Sequence, residues 1–192
     1  MKETTHPFTW LSPAAQWRLF LIALLLTLLV AAGLRSQGQS LITEAAPKGI
    51  VTFELIGTME DSRQMIDSWG ERGRIMAGLN LGLDYLFMLV YACALSLGCV
   101  LASGACRDCC GWLFHLGGPL AWGALLAGLL DAVENYALIE LLLGSSNDLW
   151  PAVARWCALP KFGLVAIAFI YVAIGGLVAV VLKLRGAKRA NR

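Results

Sequence analysis

The sequence predicts an all-α, integral membrane four-helix bundle with both termini on the cytoplasmic side, and three observations carry that expectation. Hydrophobic residues make up 58% of the chain and the mean hydropathy is +0.69, far more apolar than an ordinary soluble domain of this length. Four apolar runs, residues 17–34, 75–102, 119–143 and 157–182, approach or exceed the roughly 20 residues that a helix needs to cross a hydrocarbon core. None of them alternates like a barrel strand, and in lipid the remaining way to satisfy every backbone hydrogen bond is a helix.

The first run follows Trp10 and Trp17, which suit the membrane interface as aromatic anchors. It is the shortest, and with the small residues Ala31, Ala32 and Gly33 it also fits the apolar region of a signal peptide. Orientation comes from the C-terminal tail, where Lys183, Arg185, Lys188, Arg189 and Arg192 have no acid among them. Basic residues beside a span stay on the cytoplasmic face, so four spans place the N-terminus inside too. Residues 35–74 and 144–156 are then expected outside, and 104–118 form a cytoplasmic connection. The whole chain reads as a single membrane domain.

The outer segment 35–74 divides in two. Its first part, SQGQSLITEAAPKG, is polar with Pro47 and Gly49 and reads as a linker. The next residues alternate β-branched and aromatic side chains, which predicts a short extended stretch over 50–56. From 59 to 69 the pattern changes to helix: Thr58 can cap its start, Met59, Ser62, Ile66 and Trp69 share one face with Met65 beside it, and Gly70 can end it. Such an amphipathic helix, tethered to spans at both ends, is expected to lie on the membrane surface or to cap the outer mouth of the bundle. The segment's six acids (Glu44, Glu54, Glu60, Asp61, Asp67, Glu71) and five bases (Arg35, Lys48, Arg63, Arg72, Arg74) are too balanced to attract one strongly charged partner.

Polar side chains inside the spans are the candidate site. An acid at bilayer depth costs several kcal/mol unless it faces protein or water or is neutralised. Asp131, Glu134 and Asn135 interrupt the third run at spacings that put Asp131 on the same side as the other two. Asp84, with Tyr85 beside it, lies in the outer part of the second run, and Lys161 opens the fourth. An antiparallel bundle brings Asp84, Asp131, Glu134, Asn135 and Lys161 together. Three acids with one base leave surplus negative charge, to be balanced by a proton, water, a cation, a cationic ligand or an arginine such as Arg72 or Arg74. The plain structural account is that these groups hold the helices together, at about 1 kcal/mol for each interhelical hydrogen bond.

Six cysteines give no disulfide framework in this setting. Cys106, Cys109 and Cys110 with His115 nearby have the chemistry of a soft-metal or thiol site, but a second pair at zinc spacing is missing, so no metal is expected. No H-E-x-x-H, phosphate-binding glycine loop or G-x-S-x-G elbow occurs, and nothing points to a particular cofactor. The bases are few, terminal and not interleaved with aromatics, which excludes nucleic-acid binding. Gly163, Gly175 and Gly176 in the fourth run permit close helix approach.

SWGERGR before the second run, LDYLFMLVYACAL within it, LLDAVEN in the third and a lysine heading the fourth together resemble an uncharacterised family of small bacterial four-transmembrane-helix proteins. The likeness covers residues 50–175. It implies a four-span bacterial inner-membrane protein in which Trp69, Gly70, Gly73, Arg74, Asp84, Tyr91, Asp131, Glu134, Asn135 and Lys161 match the pattern, and it brings no activity with it. From the residues themselves the expected role is binding of a lipid, a small amphiphile or a partner membrane subunit, with homo-oligomers as another partner. A lipid-modifying enzyme using Asp84, Asp131 or Glu134 as acid and base with Lys161 on an anion is the alternative, followed by ion or proton translocation.

Overall fold

The computed structural model describes residues 5–107 and 110–190, with side chains described as far as 185. Helices account for the architecture: α1 spans Pro13–Gly38, α2 Ile50–Glu54, α3 Met59–Cys106, α4 Gly111–Leu142 and α5 Leu149–Ala190, with a 3-10 turn at Gln39–Leu41. No strand occurs among the described residues. Four of these helices are long and apolar enough to cross a membrane. The shortest, α1, has 26 residues, about 39 Å of helix against a hydrocarbon core of about 30 Å.

The helices outrun the apolar runs, at both ends in α1, α3 and α5 and at the start in α4, because hydropathy marks what dissolves in lipid, not where backbone hydrogen bonding stops. Thus α4 begins at Gly111 and passes through Pro119, where the run alone suggests a start. Helix α3 is the hub, packing against α1, α4 and α5, while α4 also packs against α5. Only Ala23 of α1 is buried, so this helix lies along the outside of the other three and shows leucines all round its circumference.

The bundle has two unlike ends. At the tail end, near the α3–α4 connection, small residues let helices approach: a Cβ on Gly175 would lie 2.3 Å from the Ala102 Cβ. Hydroxyls there are tied to backbone carbonyls of a neighbouring helix, Ser96 to Ala121 O at 2.8 Å, Ser103 to Phe114 O at 2.7 Å and Tyr171 to Leu113 O at 2.7 Å. At the opposite, segment end, residues 39–58 fold back over the bundle.

That segment differs from the expectation in two respects. Residues 50–54 are helical rather than extended; the alternating pattern has no strand edge to pair with, while Phe53 and Ile56, three apart, share a buried face. The polar stretch before it is packed, with Leu41 and Ala46 fully buried. The amphipathic helix over 59–69 is present as the first part of α3, its start capped by Thr58 Oγ1, which accepts from Asp61 N at 3.2 Å. Ser62, Met65, Ile66 and Trp69 are buried as the pattern requires. Their face joins Leu41, Phe53, Leu81, Leu138 and Leu141 in one cluster, so it caps the bundle instead of lying on a membrane surface.

Gly70 separates this capping arm from the apolar length of α3, with φ 61° and ψ −171° inside an otherwise helical stretch. No L side chain adopts that geometry cheaply, and nothing lies within 4 Å of a Cβ placed there, so a substitution is opposed by the backbone alone. Gly70→Ala is therefore expected to destabilise the protein by about 1–3 kcal/mol. Gly78→Ala, equally uncrowded but in regular helix, should stabilise by a few tenths to about 1 kcal/mol. Thermal unfolding of both variants in the same detergent checks the contrast.

Candidate functional site

Four helices deliver polar side chains to one place beneath the segment. From α4 come Asp131, Glu134 and Asn135, which are 3%, 0% and 1% exposed; from α5 comes Lys161, also buried, just after Pro160. The Lys161 ammonium lies 2.9 Å from Asp131 Oδ1, 2.8 Å from Glu134 Oε2 and 3.6 Å from Glu54 Oε2. Asp131 is fully engaged, because its Oδ2 accepts a 2.8 Å hydrogen bond from the Tyr91 hydroxyl of α3. Asn135 Nδ2 donates to Asp84 Oδ2 at 2.6 Å. The amide orientation follows from this contact, since the reverse would set its oxygen against a carboxylate.

Of the sequence-derived candidates, Asp84, Asp131, Glu134, Asn135 and Lys161 are thus brought together. Asp84 joins through Asn135 and has no ion pair with Lys161. Tyr85 is half-buried at the edge and donates to Ala132 O at 3.3 Å. Arg74 is not part of the cluster: it is exposed and donates to Leu142 O at 3.2 Å, on the last turn of α4, where a cation meets the negative end of the helix dipole. Cys106 is buried and Cys110 half-buried at the tail end, and Cys109 falls outside the described residues. Among the described residues no group of three His, Cys, Asp or Glu side chains is arranged to hold a metal ion.

Two members are additional. Tyr91 follows Asp84 by two helical turns and so shares its face, a spacing available in the sequence. Glu54 carried no such signal, because as one of six acids in a balanced segment it looks solvated. Its position depends on α2 folding as a helix and on Phe53 entering the core edge-on to Trp69, with ring centroids 5.2 Å apart. The indole of Trp69 in turn donates to Leu41 O at 2.8 Å, fixing the segment above the cluster. The cover over the site is therefore α2, with the amphipathic arm packed behind it.

The surplus of acid is larger than three against one. Glu54, Asp84, Asp131 and Glu134 face a single ammonium. Glu134 Oε2 is held by that ammonium in a charge-assisted contact of 2.8 Å, while Glu134 Oε1 and Asn135 Oδ1 are buried without a hydrogen-bond donor. Buried acceptors in this state normally cost about 1–3 kcal/mol each. Two surface clefts, of about 350 and 100 Å³, lie apart from the cluster around the Gly70 bend and Arg74.

An all-helical bundle with four spanning-length apolar helices and a buried carboxylate–lysine cluster at one end suggests a multi-pass membrane protein. Comparison with protein-family models, curated proteins and solved structures finds no match.

Lys161→Met is expected to destabilise the fold by about 3–5 kcal/mol, because Asp131 and Glu134 lose their counter-charge while still buried. Adding Asp131→Asn should restore part of that loss, and a double-mutant cycle of unfolding in detergent measures the coupling.

Glu54, outside the spanning helices, adds a pH dependence. Burial pushes its carboxyl up from 4.5 to about 7, with Lys161 opposing the rise and Asp84 and Asp131 reinforcing it. Between those values the folded chain keeps a proton that the unfolded chain has released, so this group makes stability fall as pH rises from about 4.5 to about 7 and leaves it level above. In Glu54→Gln that part of the slope should vanish, as thermal scans across the range would show.

Proposed function

We propose that this chain is a bacterial inner-membrane protein, with N- and C-termini in the cytoplasm, whose buried polar cluster binds a small amphiphile in the outer half of the bilayer. The resemblance to uncharacterised bacterial four-span proteins agrees with this reading. One observation carries it: four acids and one lysine gather inside an apolar bundle with buried acceptors left unpartnered, more polar material than helix association requires.

The depth of the cluster supports an amphiphile. Trp156 and Tyr136 are exposed near the segment end at 75% and 51%, as residues of an interfacial aromatic belt would be. Lys161 lies five residues beyond Trp156 and Asp131 five residues before Tyr136, each about 7.5 Å along its helix. A head group at the cluster would thus sit just below the interface with its chain in hydrocarbon. A partner's helix fits less well, since α2 roofs the cluster. Translocation draws no support from the tail end, where the hydroxyls of Ser96 and Ser103 both donate to backbone carbonyls.

Purification in native lipid followed by mass spectrometry tests the reading. A small amphiphile should copurify with the wild-type chain in near-stoichiometric amount and be depleted at least tenfold from Asp84→Asn and Glu134→Gln. Variants that fold normally and carry the same lipid complement as the wild type would leave the cluster a structural tie between helices.

A further inference from the structure

The charge and hydrogen-bonding inventory of the cluster specifies its ligand further. We propose that the site accepts a primary ammonium head group, held by Asp84, Asn135 Oδ1 and the free oxygen of Glu134; this rests on the reading of the cluster as an amphiphile site.

The acceptors divide into two sets that share α4. One set, Asp131 with Glu134 Oε2 and Glu54, already surrounds an ammonium, that of Lys161, at 2.9, 2.8 and 3.6 Å. The other set has acceptors of the same kind and no cation. Glu134 Oε1 and Asn135 Oδ1 are buried without a donor, and Asp84 has one hydrogen bond among the described residues, from Asn135. A primary ammonium offers three N–H donors and no acceptor, suited to the two buried acceptors that lack donors together with the remaining carboxylate oxygen of Asp84, and its charge offsets part of the surplus.

Other head groups fit worse. A phosphate or carboxylate would meet four acids and a lysine whose ammonium is already shared among three of them. A hydroxyl supplies one donor and no charge. An inorganic cation needs several ligands converging on one point, and Lys161 Nζ occupies the point on which Asp131, Glu134 and Glu54 converge. Access is from the side of the bundle: Asp84 is half-buried where Glu134 is sealed, and Leu86, Val133 and Tyr136, on the same stretches of α3 and α4, are 48%, 43% and 51% exposed. An alkyl chain lying there would bring an attached amine to Asp84 first.

The test uses the full chain in nanodiscs of phosphatidylcholine, a lipid without a primary amine, and thermal unfolding with n-dodecylamine, 1-dodecanol, dodecyl phosphate or n-butylamine at equal concentration. Dodecylamine near saturation should raise Tm by roughly 5 °C, with the rise lost in Asp84→Asn and Glu134→Gln. The Asp84→Asn variant keeps a polar group facing Asn135 and serves as the folding-competent comparison. An equal rise with butylamine would support the ammonium site and identify a soluble amine as its source. If dodecanol or dodecyl phosphate stabilises instead, and does so through the same two residues, the ammonium assignment is overturned while the amphiphile site stands. If no head group gives a shift that depends on Asp84 or Glu134, both fall.

Discussion

The ammonium of Lys161 is the constraint on which the segment end depends. A lysine and three carboxylates cannot be withdrawn from water separately, because each alone would cost several kcal/mol. They are withdrawn together, and the geometry that allows it sets the rest. The register of α5 against α4 is fixed by the need to put Lys161 between Asp131 and Glu134, which lie about one turn apart on α4. Asp131 then needs a second donor, which α3 supplies with Tyr91, and so the hub helix is registered as well. Finally Glu54 requires residues 50–54 to coil down over the cluster.

The tail end solves its packing by other means. There the polar side chains donate to backbone carbonyls, and small residues allow close approach. A carbonyl does not titrate and carries no net charge, so these bonds tie helices without creating a site. The asymmetry along the bundle is therefore chemical as well as structural: buried carboxylates and a lysine gather at one end, and at the other the buried polar side chains of the described spans are hydroxyls and thiols. Among interactions of similar net strength, only the first kind leaves acceptors for something else to use.

How much of this the sequence discloses depends on the range of the interaction concerned. The four helices and the α4 face with Asp131, Glu134 and Asn135 are local periodicities, legible because a helix repeats every 3.6 residues and acids are rare in apolar runs. That Asp84 and Lys161 join them follows from antiparallel packing, again legible. The capping arm from Met59 to Trp69 carries its pattern openly. Glu54 does not, because its place is decided by Phe53 entering a core built from residues far away in the chain, and tertiary burial overrides a local alternation that favours extended backbone. Arg74 is misjudged for the related reason that a long exposed side chain finds the nearest acceptor, here a helix end, instead of the nearest surplus of acid.

The shortness of α2 has a consequence of its own. Five residues fall far below the length at which a helix persists in water by itself, so α2 exists only while Phe53 and Glu54 are held. Its conformation is then a report on the cluster: whatever loosens the hold of Lys161 on Glu54 releases a stretch of chain that runs from the 3-10 turn at Gln39–Leu41 to Thr58. An event buried among helices would thus be visible at the surface as local unfolding, a signal that travels no further than one side chain.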